Sequence, residues 1–442
     1  MPNLVAFPAQ ALRGECSLPG DKSLSHRMAL LAGLAAGKSC ICNFLYSGVT
    51  EAMLFALTAI GVEWELHENE LTVWGKGLDG LRAPGLAIDC GNSATTMRLL
   101  AGALSAAGIS AVLDGSPGLR RRPMGRIVEP LQLMGVRIEA MDGCAPLELW
   151  ESPRPLKAIN YSLPVSSAQV KSCLLLAALA ANEPVTLREP GPSRDHTERL
   201  LQAMGVRVEK YTSSNAPQVV TRLFPIEGRT LKPLEVILPG DMSSAAFLIV
   251  AALVVPGSEI ILRNVGLNPT RTGMVDALLS MGADIRVIRR AVDPGEPFGD
   301  LLVRSSNLIG TKVSGTLVVR MIDEFPAFAV AAAFAKGETI IMQAEELHNK
   351  ESDRITAMCQ ELSRLGINIR ENPDGFVVIG GTRPLGGNVN AHKDHRLAMA
   401  LSLVGLAGDE PVRVEGAEVI GESFPAFASL LEALGARLAT EA

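Results

Sequence analysis

Six times along the chain, an amphipathic segment of helical length runs into an apolar residue, a glycine and a short alternating stretch. The six junctions are Ala59-Ile60-Gly61-Val62, Leu133-Met134-Gly135-Val136, Ala203-Met204-Gly205-Val206, Ser280-Met281-Gly282-Ala283, Arg364-Leu365-Gly366-Ile367 and Ala433-Leu434-Gly435-Ala436. Successive glycines stand 74, 70, 77, 84 and 69 residues apart. A glycine in that place closes a helix in the left-handed conformation, and the alternation after it predicts a strand. A polar stripe, as in Glu198, Arg199 and Gln202 set against Leu200, Leu201 and Met204, puts these helices on the outside.

Between the junctions lie six segments that are apolar nearly all round: 26–36, 97–107, 169–181, 244–254, 326–335 and 395–407. Such helices have no face for water, so the pattern predicts them buried on every side. Each repeat is then one inner helix, one outer helix and intervening strands, an α/β unit. Pro19-Gly20-Asp21-Lys22-Ser23 returns as Pro239-Gly240-Asp241-Met242-Ser243, 220 residues on, so the six units fall into two similar halves of three. The join lies near Leu238, and two domains of about 210 residues with a cleft between them follow.

Composition narrows the class. The 442 residues are 48% hydrophobic, enough for a large core, and carry 41 Lys and Arg against 47 Asp and Glu. A net charge of −6 and only 4% aromatics exclude a nucleic-acid binder that relies on phosphate neutralisation or base stacking. The longest apolar run, 245–255, is too short for the roughly 20 residues a membrane helix needs, and 1–20 lacks the pattern of a secretory signal. Seven scattered cysteines (Cys16, Cys40, Cys42, Cys90, Cys144, Cys173 and Cys359) form no CxxC and no metal-like cluster; they read as reduced thiols of a cytoplasmic protein. Gly33-Leu34-Ala35-Ala36-Gly37-Lys38-Ser39 is one residue short of a phosphate loop and follows a helix instead of a strand.

Candidate chemistry gathers where the inner helices start. Asp21-Lys22-Ser23-Leu24-Ser25-His26-Arg27 opens the first, Gly91-Asn92-Ser93-Ala94-Thr95-Thr96-Met97-Arg98 the second, Ser166-Ser167-Ala168-Gln169-Val170-Lys171 the third and Lys393-Asp394-His395-Arg396 the sixth. Ser, Asn and Asp are ordinary caps, but basic residues within a turn of four such starts, on an acidic chain, point to a small multiply anionic ligand. Arg120-Arg121-Arg122 flanks a turn, and either Ser193 or Asp195 in Ser193-Arg194-Asp195-His196-Thr197 suits an outer-helix cap. Lys350 and Arg354 sit four apart. Asp323-Glu324 places two carboxylates ahead of a very apolar helix, where a cap explains one and leaves a proton-transfer role for the other.

These strings resemble those of the enolpyruvyl-shikimate-phosphate synthases (3-phosphoshikimate 1-carboxyvinyltransferases). The resemblance runs from Leu18 to Ala436 through LPGDKSLSHR, GNSATTMR, RRPM, SSAQVKS, SRDHTER, PGDMSSAAF, NVGLNPTRTG, IDEFP, KESDR and KDHR. It implies two inside-out α/β domains, each of three βαβαββ units, with the N-terminal strand in the second: residues 19–238 form one domain, and 1–18 with 239–442 the other. It further implies transfer of the enolpyruvyl group of phosphoenolpyruvate to the 5-hydroxyl of shikimate 3-phosphate, releasing phosphate without metal or organic cofactor. On that likeness, Ser23, Arg27, Ser167, Ala168, Gln169 and Arg194 hold shikimate 3-phosphate, with Asp323 and Lys350 on its hydroxyls. Lys22, Arg122, Arg354 and Arg396 hold phosphoenolpyruvate, with Gln169 shared and Asn92, Ala94 and Thr95 beneath its phosphate. Lys22, Asp323, Glu351 and His395 are the groups for proton transfer. The likeness also implies a cytoplasmic monomer with no nucleic-acid or membrane partner.

Two departures and two rivals frame the reading. Glyphosate-sensitive members of the family carry Gly where this chain has Ala94, which implies tolerance of that inhibitor. Some members place Lys before Ser/Thr-Phe-Pro, where this chain has Glu422 before Ser423-Phe424-Pro425; that ligand contact does not carry over, and a surface place is expected for Glu422. The sister UDP-N-acetylglucosamine enolpyruvyl transferases should show a reactive Cys in a Gly-rich loop, and 114–124 has none. A non-catalytic anion-binding repeat protein would not be expected to keep Lys22, Asp323, Glu351 and His395 together.

Overall fold

A computed structural model describes residues 3–212, 218–226 and 230–441. The helices among them are α1 (Lys22–Leu34), α2 (Gly48–Ala59), α3 (Ala94–Ala107), α4 (Gly125–Leu133), α5 (Ala168–Ala178), α6 (His196–Ala203), α7 (Met242–Val254), α8 (Gly273–Ser280), α9 (Thr316–Arg320), α10 (Phe325–Phe334), α11 (Arg354–Arg364), α12 (His395–Ala407) and α13 (Phe427–Ala433). The chain divides into two compact units. The first is Gly20–Leu238 with the hairpin tip Val292–Glu296; the second is 3–19, 239–291 and 297–441.

Each unit contains three four-stranded sheets among the described residues. In every sheet an edge strand runs parallel to its neighbour, which pairs antiparallel with a third. In four of the sheets an inner helix is the crossover between the parallel strands, which makes the βαβαββ unit. The other two are permuted. Glu235–Ile237 pairs with Ala36–Cys42 after α1, and Arg13–Ser17 pairs with Glu259–Gly266 after α7. Asn3–Phe7 completes the last sheet, antiparallel to both Val412–Glu415 and Arg437–Glu441.

The inner helices α1, α3 and α5 form the core of the first unit, and α7, α10 and α12 that of the second. Every residue of α7 is buried. Helix α3 lies so close to α5 that a Cβ on Gly102 would fall 2.1 Å from the Cys173 carbonyl oxygen. All six junction glycines have positive φ, between 74° at Gly366 and 102° at Gly435, so the outer helices end as expected.

The inner helices begin up to four residues before the apolar pattern does. Asp21, Ser93 and Ser167 accept hydrogen bonds from Leu24, Thr96 and Val170 backbone N–H groups, so capping pulls the polar strings into the first turn. Lys22, Ala94 and Ala168 are therefore first helical residues and not parts of a lead-in loop. A second correction concerns α6: Glu198, assigned to the outer polar stripe, is buried, because Lys171 on α5 faces it.

Candidate active site

In the first unit, polar side chains at the starts of α1, α3, α5 and α6 interlock. Gln169 accepts a hydrogen bond from Arg98 Nη1 and donates to Thr95 Oγ1 at 2.8 Å, so α3 and α5 present these groups as one surface. Arg98 Nη2 also donates to the Pro123 carbonyl at 2.9 Å, tying in the segment that carries half-buried Arg122. Asn92 Oδ1 accepts from Ser116 Oγ at 3.1 Å. Ala94 is buried. Lys22 and Ser23 are half-buried in the first turn of α1. Arg194 Nη1 reaches Ser23 Oγ at 3.5 Å.

Arg27 is buried one turn further along α1. Its Nε donates to Thr197 Oγ1 at 2.8 Å, its Nη2 to Ser172 Oγ at 2.9 Å and its Nη1 to the Ser23 carbonyl at 3.0 Å. His26 beside it is enclosed, with Nδ1 2.8 Å from the Lys22 carbonyl and Nε2 3.0 Å from the Val49 carbonyl. Burial pushes its pKa down to about 4, against some lift from those carbonyls, so the ring is neutral at physiological pH.

The second unit gathers charge around Arg354, the first residue of α11, which is 1% exposed. Its Nε donates to Asp394 Oδ2 at 2.8 Å and its Nη2 to Glu351 Oε2 at 2.7 Å, and its Nη1 stands 3.4 Å from Asp323 Oδ1. Arg396 Nη1 lies 3.1 Å from the same Asp323 oxygen. Asp394 caps α12 by accepting from the Arg396 backbone N–H at 2.9 Å. His395, the first residue of α12, is buried beside it. Burial alone would raise the Asp394 pKa, but the Arg354 charge outweighs that and holds it below the usual carboxylate range.

Several motif residues land elsewhere than their strings suggested. Lys350 and Arg354 do not share a helix face; Lys350 ends the short turn Glu345–Asn349, and α11 starts only at Arg354. Arg120 forks onto the Asp114 carboxylate and Arg121 is exposed, which sets Arg122 apart from its neighbours. Lys171 turns inward to Glu189 and Glu198 and presents nothing to a ligand. Neither Ser193 nor Asp195 caps α6 through its side chain. Ser193 donates to Glu189, while Asp195 pairs with Arg199 and Lys210. Glu324, read beside Asp323, is buried and accepts from Ser243 Oγ, which itself accepts from Arg271 Nη2 at 2.7 Å. Glu422 is half-buried. Arg98 and Asp394 stood in the motif strings with no role read for them.

Among the described residues, no group of three or more His, Cys, Asp or Glu could hold a metal, and no helix is long and apolar enough to cross a membrane.

Permuted βαβαββ sheets around buried helices, with cations at the helix starts, define the enolpyruvyl transferase class. A family profile described as EPSP synthase (3-phosphoshikimate 1-carboxyvinyltransferase) matches residues 7–431. A 3-phosphoshikimate 1-carboxyvinyltransferase of Citrifermentans bemidjiense is 44% identical over 432 residues, covering 98% of this chain and 99% of its own. One from Coxiella burnetii RSA 493 is 45% identical over 431 residues, covering 97% and 96%. The 2.37 Å structure of EPSP synthase from Acinetobacter baumannii superposes with a TM-score of 0.89 at 38% identity, covering all of both chains. The chain belongs to the EPSP synthase family.

Proposed function

We propose that this chain transfers the enolpyruvyl group of phosphoenolpyruvate to the 5-hydroxyl of shikimate 3-phosphate, giving 5-enolpyruvylshikimate 3-phosphate and phosphate. The observation that carries the reading is the cluster around Asp323. Its carboxylate is held by the Arg354 and Arg396 guanidiniums, with Glu351 on the other η nitrogen of Arg354. Two fixed cations suit a substrate bearing both carboxylate and phosphate, and the two carboxylates beside them suit proton transfer.

The reaction needs a base for the 5-hydroxyl proton and an acid for the methylene carbon of phosphoenolpyruvate. Addition of the oxygen to C2 with protonation of C3 gives a tetrahedral intermediate; loss of phosphate from C2 and of a proton from C3 then gives the enol ether. Asp323, Glu351, Lys22 and His395 supply these transfers. Lys22, Arg122, Arg354 and Arg396 hold phosphoenolpyruvate, with Asn92, Ala94 and Thr95 under its phosphate. Ser23, Arg27, Ser167, Ala168, Gln169 and Arg194 hold shikimate 3-phosphate, with Asp323 and Lys350 on its hydroxyls. The chain acts as a cytoplasmic monomer.

The test is phosphate release by the purified protein from phosphoenolpyruvate, with shikimate 3-phosphate or UDP-N-acetylglucosamine as acceptor. Release only with shikimate 3-phosphate is expected. Release only with the sugar nucleotide, or with neither from folded protein, overturns the reading.

A further inference from the structure

Lys171 is the most enclosed charge among the described residues of the first unit: its side chain is 0% exposed, and Nζ lies 2.7 Å from both Glu189 Oε2 and Glu198 Oε1. Burial alone would lower its pKa, but the two carboxylates outweigh that and raise it, so the ammonium stays charged. One cation therefore pairs with two buried anions that arrive from separate elements, the strand Val185–Glu189 and helix α6.

The segment between those anions is anchored residue by residue. Ser193 donates to Glu189 Oε1; Asp195 takes Arg199 and Lys210; His196 Nδ1 meets Glu296 Oε1 at 2.8 Å; Thr197 meets Ser172 at 2.7 Å. Lys171–Glu198 and Ser172–Thr197 are consecutive rungs between α5 and α6, and the second rung receives both Nε and Nη2 of Arg27. Arg194 stands between the anchored Ser193 and Asp195, with its guanidinium directed toward Ser23.

We infer that Lys171 is a positioning residue for the shikimate 3-phosphate side of the site. By clamping Glu189 and Glu198 it fixes the Ser193–Thr197 turn, which aims Arg194 and seats Arg27. The inference rests on the function proposed above. It is distinct from a purely structural role because both arginines at the end of the clamp belong to the same substrate.

Ser193→Ala cuts the link from the clamp to the turn with little change in volume. The neutral set Lys171→Met/Glu189→Gln/Glu198→Gln removes all three charges without stranding any of them. Steady-state kinetics with each substrate varied in turn is expected to show KM for shikimate 3-phosphate rising about 10-fold in the neutral set and about 3-fold in Ser193→Ala, as small misplacements of binding groups do. KM for phosphoenolpyruvate should stay within about 2-fold in both. An unchanged KM for shikimate 3-phosphate in a folded variant overturns the inference, as does an equal rise in both KM values. If the neutral set fails to fold, Ser193→Ala alone decides by the same criterion. Wild-type protein that neither binds nor turns over shikimate 3-phosphate sinks the proposed function and this inference together. Active wild type with unchanged variants sinks only this one.

Discussion

Arg354 Nε donates to Asp394 Oδ2 at 2.8 Å, with 1% and 0% of the two side chains open to solvent. The pair joins the starts of α11 and α12, and Arg354 also reaches Glu351 and Asp323. Asp394→Asn keeps the shape but leaves the buried guanidinium short of a charge, a change that costs about 3 kcal/mol at the lower end for broken buried pairs. The expected result is a lower denaturation midpoint and kcat/KM for phosphoenolpyruvate reduced by about 100-fold. Because the folded-state pKa of Asp394 lies below its unfolded value, its stabilisation is present above the ordinary carboxylate range and is lost as pH falls through the folded value. Denaturation of both proteins should therefore differ most at neutral pH and converge in strong acid.

Ala94 opens α3 directly after its cap, and its methyl is buried. In the proposed site that methyl would narrow the space under the phosphate of phosphoenolpyruvate, to the cost of the longer phosphonate inhibitor glyphosate. Ala94→Gly should lower the inhibition constant for glyphosate by about 10-fold or more while shifting the thermal midpoint little, since the helix-propensity cost is at most about 1 kcal/mol. Equal inhibition of both proteins would refute the assignment.

His26 is enclosed, and its pKa is pushed down to about 4 from an ordinary 6.5. The unfolded ring takes up its proton first as pH falls, so folding stability is complete above pH 6.5 and declines down to about pH 4, by roughly 3 kcal/mol in all. Urea denaturation at a series of pH values should show that slope in the wild type and a shallower one in His26→Gln. Identical slopes would remove His26 from the account of acid sensitivity.

Helix ends were legible in the chain because Gly61 and its five counterparts each need a left-handed backbone, a local demand that needs no tertiary partner. Inner-helix starts were read late, because Lys22 and Thr95 look like loop residues until the Asp21 and Ser93 caps hold them in the first turn. Ion pairing was the least visible. Glu198 shares a stripe with Arg199 and Gln202 and looks solvent-facing until α5 brings Lys171 against it. Lys171 in turn looks like another ligand-facing cation of the SSAQVKS string. Asp394 shows the same limit: nothing local predicts that its partner, Arg354, stands 40 positions away.

The strand pairing of Asn3–Phe7 with Arg437–Glu441 bears on how the chain is made. On the ribosome, all strands of the first unit are synthesised before residue 239, so its three sheets can close while translation continues. The last sheet of the second unit must wait, because both partners of Asn3–Phe7, Val412–Glu415 and then Arg437–Glu441, are made late. The sheet that holds Asn3–Phe7 therefore cannot close until long after the strands of the first unit have been made.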